Sequence, residues 1–315
     1  MECPKVSIII VNWNGKNDLI RCLESLRDSE YTNTELIVVD NGSTDGSLEL
    51  LEKEFKEAQV VSLGKNVGRS EALNIGTKLS AGELVLHLDN DIRICDPALI
   101  TKLVEKISSD STIGVCGPMV LNMDSDIIQT MGAYVDLRSG TAIGAKGRNE
   151  TDHGQFVEPF EVDYIVGCCI MFRRSILEKV GQYVSRYIVY YDETDLCLCV
   201  KKAGYRVVTD PRAKIMHRVS GSGSNMGDFS LFHFMKNRLL FMRRHGGFID
   251  WLFFIPQFII KPMPYVSRRF YARYPVRIAK IAAKAVWWNT KDVLSSPSVS
   301  ENERLDPLTN EVAAK

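Results

Sequence analysis

The first 120 residues alternate short apolar runs with segments of helical periodicity, and this alternation limits the chain to few folds. The opening run, Val6–Val11, is an almost continuous series of β-branched residues, as expected of a strand buried on both faces. Between the runs, apolar residues recur at helical spacing, for example at Leu19, Leu23 and Leu26. A β-α-β-α order of this kind predicts an α/β fold with a mostly parallel sheet and helices on both faces.

The same alternation continues along the chain. Further strands are predicted at Leu36–Val39, Val60–Ser62, Leu84–Leu88, Ile113–Cys116, Val162–Phe172, Tyr205–Thr209 and Lys214–Met216. Helices are predicted from Asp45 or Ser47 to Phe55, and over Asp18–Leu26, Ser70–Leu79, Pro97–Ile107, Asp192–Ala203 and Phe229–His245. Ligands of such sheets bind at the carboxyl ends of the strands, so the functional residues should directly follow strands.

The turn after the first strand argues against a dinucleotide-dependent dehydrogenase, and the turn after the second strand contains a candidate carboxylate. Asn12–Gly15 (NWNG) lacks the glycine pattern with which dinucleotide-dependent dehydrogenases approach a pyrophosphate. The second predicted strand is followed by Asp40–Asp45 (DNGSTD), where a carboxylate could accept hydrogen bonds from a ribose hydroxyl or a base N–H. An Asx turn that caps the next helix is the alternative, and the sequence leaves both interpretations open.

The predicted strand Leu84–Leu88 runs directly into Asp89, Asn90 and Asp91. It therefore delivers two carboxylates, two positions apart, at the edge where a ligand is expected. Hard divalent cations prefer oxygen ligands, and Mg²⁺ or Mn²⁺ commonly joins such carboxylates to a diphosphate. A metal ion there would neutralise charge on a departing nucleoside diphosphate. A pair of solvated loop aspartates is the alternative.

Two later segments contain further candidates. Asp192 and Glu193 open a predicted helix, where acidic side chains stabilise the N-terminus but could also take a proton from an attacking hydroxyl. His217 follows a predicted strand and either binds a metal through its neutral imidazole or is structural. Beside it, the SGSGS segment at 220–224 is typical of a lid that orders over a ligand, or of a plain linker.

In this order, these segments resemble glycosyltransferase family 2 and, within it, the bacterial and archaeal rhamnosyltransferase type. The resemblance covers about residues 4–246 and implies an inverting, metal-using enzyme with a GT-A fold. The matching segments are VSIIIVNWNG (6–15), ELIVVDNGSTDGS (35–47), NVGRSEALNIG (66–76), GELVLHLDNDIRI (82–94), VGCCIMFRRSILEKVG (166–181), YYDETDLCLCVKKAGYRVVTDP (190–211), AKIMHRVSGSGS (213–224) and KNRLLFMRRHG (236–246).

The resemblance implies a nucleotide pocket, a metal site and a contact region for the sugar and acceptor. The residues implied for the nucleotide pocket are Val11, Asn12, Asp40, Arg69, Asp89 and Asn90. Those implied for the metal or diphosphate are Asp91, Asp89 and His217, and those near the sugar and acceptor are Gly167 and Cys168. Arg69 stands where many relatives have an aromatic residue.

The catalytic base is also implied by the resemblance. The family usually has Glu-Asp where this chain has Asp192 and Glu193, so Glu193 takes the position of the base. The exchange keeps a carboxylate but lengthens its side chain by one methylene. The family pattern therefore leaves Asp192 as the alternative proton acceptor.

By the same resemblance, the chain would move a sugar from a UDP- or dTDP-linked donor to a hydroxyl acceptor. Implied with it are a divalent metal cofactor, Mg²⁺ or Mn²⁺, and a lipid-linked saccharide in cell-surface polysaccharide or glycolipid assembly. Two other functions stay open from the residues alone. One is a nucleotidyltransferase, although its usual Gly-rich basic loop is absent after the first strand, and the other is a non-catalytic scaffold that binds carbohydrate or nucleotide.

Charge is distributed unevenly along the chain. Residues 1–235 hold 25 basic and 33 acidic side chains, whereas residues 236–291 hold 12 and one, so the later segment favours an anionic surface. Within it, the apolar run Phe248–Ile260 is too short to span a bilayer, which needs about 20 residues. Its basic and aromatic flanks resemble an interfacial membrane anchor, and a helical subdomain packed on the core or on a second subunit is the alternative. Nothing in the chain matches a nucleic-acid-binding module.

These patterns predict three regions: a catalytic domain over 1–246, a basic amphipathic helical region over 247–294, and a polar, disordered tail over 295–315. No secretory signal is recognisable, since the first apolar run is too short. The eight cysteines show neither CxxC nor zinc-site spacing, which favours a reducing compartment. We therefore expect a cytoplasmic protein that is peripheral on the cytoplasmic face of a membrane if its basic region is an anchor. The oligomeric state is left open.

Overall fold

A computed structural model of the protein describes residues 3–218, 227–264 and 273–295. The segment 220–224 and residues 296–315 of the expected tail lie outside this description. The contacts divide the chain into two compact units, Met1–Val135 with Ala142–Ser220, and Asp136–Thr141 with Gly221–Lys315. The sequence placed its boundaries elsewhere, at residue 246 between the catalytic domain and the basic region and at residue 294 before the tail. These functional boundaries stay a prediction.

Residues 3–218 form alternating strands and helices around one large sheet. The strands are β1 (Val6–Asn12), β2 (Thr34–Asp40), β3 (Ala58–Ser62), β4 (Leu84–Asp89), β5 (Ile92–Ile94), β6 (Ile113–Asn122), β7 (Ile128–Thr130), β8 (Tyr134–Asp136), β9 (Thr141–Ile143), β10 (Phe160–Glu161), β11 (Cys169–Arg173) and β12 (Arg206–His217). The helices are α1 (Lys16–Arg27), α2 (Ser47–Glu54), α3 (Arg69–Leu79), α4 (Leu99–Ser108), α5 (Arg174–Val180) and α6 (Asp192–Lys202).

The large sheet has the strand order β10-β12-β6-β11-β4-β1-β2-β3, with β5 added to β12 and β7 to β6. Strands β3, β2, β1 and β4 are mutually parallel, and so are β6 and β12. Strand β11 runs antiparallel between β4 and β6. The predicted α/β fold, with a mostly parallel sheet flanked by helices, is confirmed.

Several strand predictions were wrong in their bounds; the strand predicted at Ile113–Cys116, for example, continues to Asn122. The predicted strand Val162–Phe172 is a strand, β11, only from Cys169 onward, because the chain turns at Gly167 and Cys168; before that turn, Tyr164 makes only an isolated bridge with Ala133. Its first half is apolar because Val162 and Ile165 are buried in one of the hydrophobic clusters although they belong to no strand. The two short strands predicted over 205–216 are one strand, β12. Their apparent break is a register shift against β6 between Asp210 and Lys214, as a β-bulge produces.

Successive residues of β1 belong to different hydrophobic clusters. Ile8 and Ile10 pack with residues of α1 and α4, whereas Ile9 packs with residues of α3 and α6. Because alternate side chains of a strand point to opposite faces, both faces of the sheet are covered by apolar cores. This explains why β1 is apolar throughout, and it leaves the ends of the strands as the place for polar chemistry.

His87 on β4 is a buried polar residue inside the core on one face of the sheet. Its Nε2 lies 2.9 Å from Oγ1 of Thr77, and its Nδ1 lies 3.1 Å from the hydroxyl of Tyr183. The ring of Phe172 lies 5.4 Å away, centre to centre. Burial, helped by the positive charge of Arg69, lowers the pKa of His87 from its usual 6.5 to about 3. The imidazole is therefore neutral in the folded protein, whereas the unfolded chain protonates it below pH 6.5.

We expect His87 to make folding sensitive to acid. As the pH falls from 6.5 toward 3, the unfolded state binds one proton that the folded state excludes. The free energy of unfolding should then drop by about 1.4 kcal/mol per pH unit from this group alone. Urea unfolding of the wild type and His87→Gln at several pH values tests this, since the wild type should lose its advantage over the variant as the pH falls. Parallel stability curves would contradict the assignment.

The second unit is helical and has its own apolar cluster. It contains α7 (Asp228–His245), α8 (Phe248–Ile260) and α9 (Pro275–Ser295), which confirms the predicted helical C-terminal region. Arg238 is buried and donates hydrogen bonds to the carbonyl oxygens of Ser139, Lys261 and Pro262. In the part of the chain that the structure covers, none of the helices has both the length and the apolar character required to cross a membrane.

Candidate active site

Three parallel strands bring polar side chains to one edge of the sheet. In the strand register, Asn12 at the end of β1 lies beside Asp40 at the end of β2. On the other side of β1, Val11 lies beside Asp89 at the end of β4. The sequence predicted Asn12, Asp40 and Asp89 directly after strands. The strand register places all three at the carboxyl edge of the sheet, on adjacent strands.

Asn12 is the centre of a buried polar network. Its Nδ2 donates to Oδ1 of Asp40 at 3.3 Å, and its Oδ1 accepts a hydrogen bond from Nδ2 of Asn90 at 2.7 Å. The other carboxylate oxygen of Asp40 accepts the backbone N–H of Ser43 at 2.9 Å, which closes the turn after β2 but does not cap α2, whose N-cap residue is Gly46. Asn12 and Asp40 are fully buried, and Val11 is partly buried. Their contact with a nucleotide stays a prediction.

Asp89, Asp91 and His217 form a cluster that could hold a metal ion. One ligand atom from each lies within 4.8 Å of the others, and Nε2 of His217 is 3.4 Å from Oδ1 of Asp91. Nδ1 of His217 lies 3.1 Å from Oε1 of Gln129, an amide oxygen that accepts hydrogen bonds and cannot donate one. This partner favours the tautomer with Nε2 unprotonated and facing the two carboxylates. A metal-binding histidine usually has its second nitrogen held in this way, so the residues fit a hard divalent cation.

Arg69, the first residue of α3, connects the acidic end of β4 to the start of α6. Its Nε donates to Oδ1 of Asp89 at 2.9 Å, and its Nη1 donates to Oδ2 of Asp192 at 3.1 Å. Its Nη2 donates to the carbonyl oxygen of Gly167 at 2.7 Å. A single planar guanidinium thus joins three segments that the chain brings in from distant positions.

The two carboxylates at the start of α6 differ in their surroundings. Asp192 is 2% exposed and also accepts a hydrogen bond from Oγ of Ser70 at 3.1 Å. Burial opposes its charge, but Arg69 together with hydrogen bonds from Ser70 and Glu193 outweighs burial and lowers the pKa of Asp192. Burial and the negative charge of Asp192 raise the pKa of Glu193 well above its usual range. The pair therefore combines a fixed anion with a carboxyl group that holds its proton more tightly.

The segment before α6 has an unusual backbone. Ile188, Tyr190 and Tyr191 all have positive φ values, of 65°, 65° and 69°. This region is unfavourable for β-branched and aromatic residues, and each such residue costs about 1–3 kcal/mol. The carbonyl oxygen of Ile188 accepts the backbone N–H of Arg69 at 3.2 Å, so the strained segment is bonded to the start of α3. Strain of this kind is concentrated at functional sites.

Gly167 and Cys168 lie beside this cluster through their backbone atoms. The carbonyl oxygen of Cys168 accepts the N–H of Asp89 at 3.0 Å, and its side chain is buried. A Cβ at Gly167 would approach Nη2 of Arg69 to 2.7 Å, so a side chain there would displace the guanidinium. Their predicted proximity to the sugar and acceptor stays a prediction.

Sequence inspection missed two residues of the site. Gln129 orients His217, and Ser70 bonds Asp192. Ser70 carried a weak signal, since a hydroxyl in the first turn of a helix beside the predicted pocket is available for bonding. Gln129 carried none, because it lies outside every predicted element and every motif of the sequence. Asp91 also lines a cavity of about 190 Å³, whose other charged lining residues are Asp18, Arg21, Arg93, Asp124 and Arg218.

Comparison with known families agrees with this arrangement. Residues 7–181, more than half of the chain, match the model of glycosyl transferase family 2. The chain belongs to glycosyltransferase family 2. It is therefore a glycosyltransferase, which decides against the nucleotidyltransferase and the non-catalytic scaffold that the residues had left open.

The relatives that match most of the chain include a rhamnosyltransferase. It is the N-acetylglucosaminyl-diphospho-decaprenol L-rhamnosyltransferase of Mycobacterium tuberculosis, which is 25% identical over 262 residues. The match spans 76% of this chain and 85% of the relative. It agrees with the rhamnosyltransferase-like resemblance of the sequence motifs.

Solved structures share the fold of this glycosyltransferase. The mannosyltransferase PcManGT of Pyrobaculum calidifontis, in complex with GDP-Man and Mn²⁺, has a TM-score of 0.58 at 17% identity, covering 100% of this chain and 80% of that chain. TarS 1–349 of S. aureus, in complex with UDP-GlcNAc, has a TM-score of 0.53 at 17% identity, covering 76% of this chain and 66% of that chain. These similarities show the fold, and the predicted GT-A fold is confirmed.

Proposed function

We propose that this enzyme transfers a sugar from a UDP- or dTDP-linked donor to a hydroxyl group of an acceptor, with inversion at the anomeric carbon. The observation that supports the proposal is the convergence of the acidic end of β4 with the start of α6. Asp89 and Asp192 are hydrogen-bonded to the same guanidinium, that of Arg69, so the diphosphate end and the proton-accepting end of the site are adjacent.

Glu193 is the proposed general base. The attacking hydroxyl gives its proton to the Glu193 carboxylate as its oxygen bonds to the anomeric carbon, and the bond from that carbon to the diphosphate breaks. One displacement inverts the configuration, through a transition state of oxocarbenium character. Asp192 stays ionised beside Arg69 and Ser70 and keeps the start of α6 in place. Val11, Asn12, Asp40 and Asn90 are the proposed neighbours of the nucleotide.

Asp89, Asp91 and His217 are the proposed ligands of Mg²⁺ or Mn²⁺. A cation bound there would neutralise the negative charge that develops on the departing nucleoside diphosphate. The contribution of the chain is a ligand set held in advance, since Arg69 fixes Asp89 and Gln129 fixes His217. Gly167 and Cys168 are the proposed contacts of the sugar and acceptor.

The proposed acceptor is a saccharide linked to a lipid, in the assembly of cell-surface polysaccharide or glycolipid. The mycobacterial relative, whose name gives N-acetylglucosaminyl-diphospho-decaprenol as its substrate, supports this class. We propose that the enzyme acts on the cytoplasmic face of a membrane as a peripheral protein. Its eight cysteines are free, as is usual in a reducing compartment.

A donor screen tests the proposed reaction. The enzyme is incubated with Mn²⁺ and with UDP-, dTDP- and GDP-sugars, and the released nucleoside diphosphate is measured with and without lipid-linked acceptor. The proposal is supported if the acceptor stimulates release of UDP or dTDP from the corresponding sugar donor and the product has the inverted anomeric configuration. Release only from GDP-sugars would overturn the donor class, and a product of retained configuration would overturn the single displacement.

We expect Asp91→Asn to weaken the metal-dependent part of nucleotide binding. Loss of the charged ligand should raise the dissociation constant for UDP or dTDP in the presence of Mn²⁺ by at least about tenfold. Without metal, the wild type and the variant should bind equally. Isothermal titration measures both, and Asp28→Asn, an exposed carboxylate at the end of α1 and away from this cavity, is the matched control. An unchanged Mn²⁺ effect in Asp91→Asn would remove Asp91 from the metal site.

A further inference from the structure

The outward face of α8 consists almost entirely of large apolar side chains. At 100° per residue, its exposed apolar residues cover a continuous arc of about 160°. Exposed fractions range from 48% for Ile255 to 80% for Phe248 and Ile260. The other residues of the arc are Ile249, Leu252, Phe253, Pro256 and Ile259. A surface helix normally exposes polar residues to water, whereas this face exposes apolar ones. A contiguous exposed apolar face of this kind marks an interaction site.

The opposite side of α8 packs against the rest of its unit through a narrow stripe of aromatic residues. Phe254 and Phe258 are buried, and the ring of Trp251 lies against Phe254 at 5.3 Å, centre to centre. The guanidinium of Arg238 stacks over Phe254 at 5.0 Å. The polar side chains of α8 form hydrogen bonds within the same unit: Asp250 accepts the N–H of Gly247, and Gln257 donates to the carbonyl oxygen of Arg138. The outward residues are therefore in excess of what packing within the unit uses.

The same unit carries an excess of positive charge. In residues 227–264 and 273–295, three acidic side chains occur, and two of them pair with arginines: Asp228 with Arg277 and Asp292 with Arg243. Eight basic side chains in these ranges are at least partly exposed, namely Arg243, Arg244, Lys261, Arg273, Arg277, Lys280, Lys284 and Lys291. An apolar face within a cationic unit is complementary to the surface of an anionic bilayer.

We propose that the outward face of α8 inserts into the interfacial layer of an anionic membrane, with the basic side chains of the unit on the lipid headgroups. The helix has 13 residues and so spans about 20 Å, which is shorter than the hydrocarbon core of a bilayer and suits a helix that lies in the interface. The purpose of this attachment rests on the lipid-linked acceptor proposed above, whereas its evidence is the surface of α8 itself. An anionic lipid surface is favoured over a second copy of the chain because two cationic units would repel each other.

Flotation of the full-length protein with vesicles tests the insertion. Vesicles of mixed phosphatidylcholine and phosphatidylglycerol should carry the wild type upward, and vesicles of phosphatidylcholine alone should carry less. The double variant Leu252→Asp with Ile259→Asp should lower the partition coefficient by at least about tenfold, because it places two charges in the inserted face. These side chains are 58% and 75% exposed, so the fold should survive, as circular dichroism would verify.

Two controls separate the possible results. The double variant Ile143→Asp with Val157→Asp also charges two exposed apolar positions, outside α8, and should float like the wild type. Glu193→Gln should float like the wild type although its sugar transfer is slow, so a loss of the proposed reaction can be distinguished from a loss of membrane binding. The inference is overturned if the α8 variant floats like the wild type. It is equally overturned if the wild type does not float and sedimentation shows a dimer that the α8 variant dissociates.

Discussion

Replacing Glu193 with glutamine is expected to lower kcat by about 10²–10⁴-fold, while the dissociation constant for the nucleoside diphosphate stays within about twofold. The amide is similar in size to the carboxylate but cannot accept the proton of the attacking hydroxyl. Transfer to acceptor and nucleotide binding by titration calorimetry measure the two quantities. Glu178→Gln, an exposed residue of α5, is the matched control and should leave both unchanged. Strong residual turnover in Glu193→Gln would contradict the assignment.

The surroundings of the two carboxylates favour Glu193 over Asp192 as the base. Asp192 is nearly inaccessible, is bonded to Arg69 and Ser70, and has a lowered pKa, all of which make it a weak proton acceptor. Glu193 is partly exposed, and its raised pKa brings its basicity closer to that required at neutral pH. Because Glu193 must be deprotonated to act, kcat should rise with pH through the pKa of Glu193. Asp192→Asn should therefore retain more transfer at neutral pH than Glu193→Gln, provided that it folds.

The sequence allowed the fold and the acidic edge of the sheet to be predicted, because both depend on local pattern. The β-branched run of β1 and the placement of Asp89 and Asp91 directly after β4 follow from the periodicity of neighbouring residues. The strand predicted at Val162–Phe172 was partly wrong for the same reason. An apolar run does not distinguish a strand from a buried turn such as the one at Gly167 and Cys168.

The connections within the site could not be predicted, because they join residues that are far apart in the chain. Arg69 lies 20 residues from Asp89, 98 from Gly167 and 123 from Asp192. No periodicity relates such positions, and only the assembled sheet brings them together. The positive φ values before α6 were equally hidden, since isoleucine and tyrosine are residue types that disfavour that conformation.

Replacing Arg69 with glutamine is expected to lower kcat by about 10²-fold and to move the acid limb of the kcat profile to higher pH. The guanidinium is the cation that favours the ionised forms of Asp192 and Glu193, so its removal makes the pair harder to deprotonate. Arg69→Lys should recover part of the rate, because it keeps the charge but not the three-way hydrogen bonding. If Arg69 mainly lines the nucleotide pocket, the donor KM would instead rise while kcat and its pH profile stayed unchanged.

The stability of the Arg69 variant gives a second test of the same arrangement. Removing one partner of a buried ion pair leaves Asp192 as an uncompensated charge, which should cost about 3 kcal/mol of unfolding free energy. Arg69→Gln combined with Asp192→Asn should recover much of that loss, because neither buried charge remains. The double variant should stay as slow as Arg69→Gln, since the start of α6 is still not fixed to the end of β4. Recovery of activity together with stability would mean that Arg69 serves only to neutralise Asp192, and that the geometry of Glu193 does not depend on it.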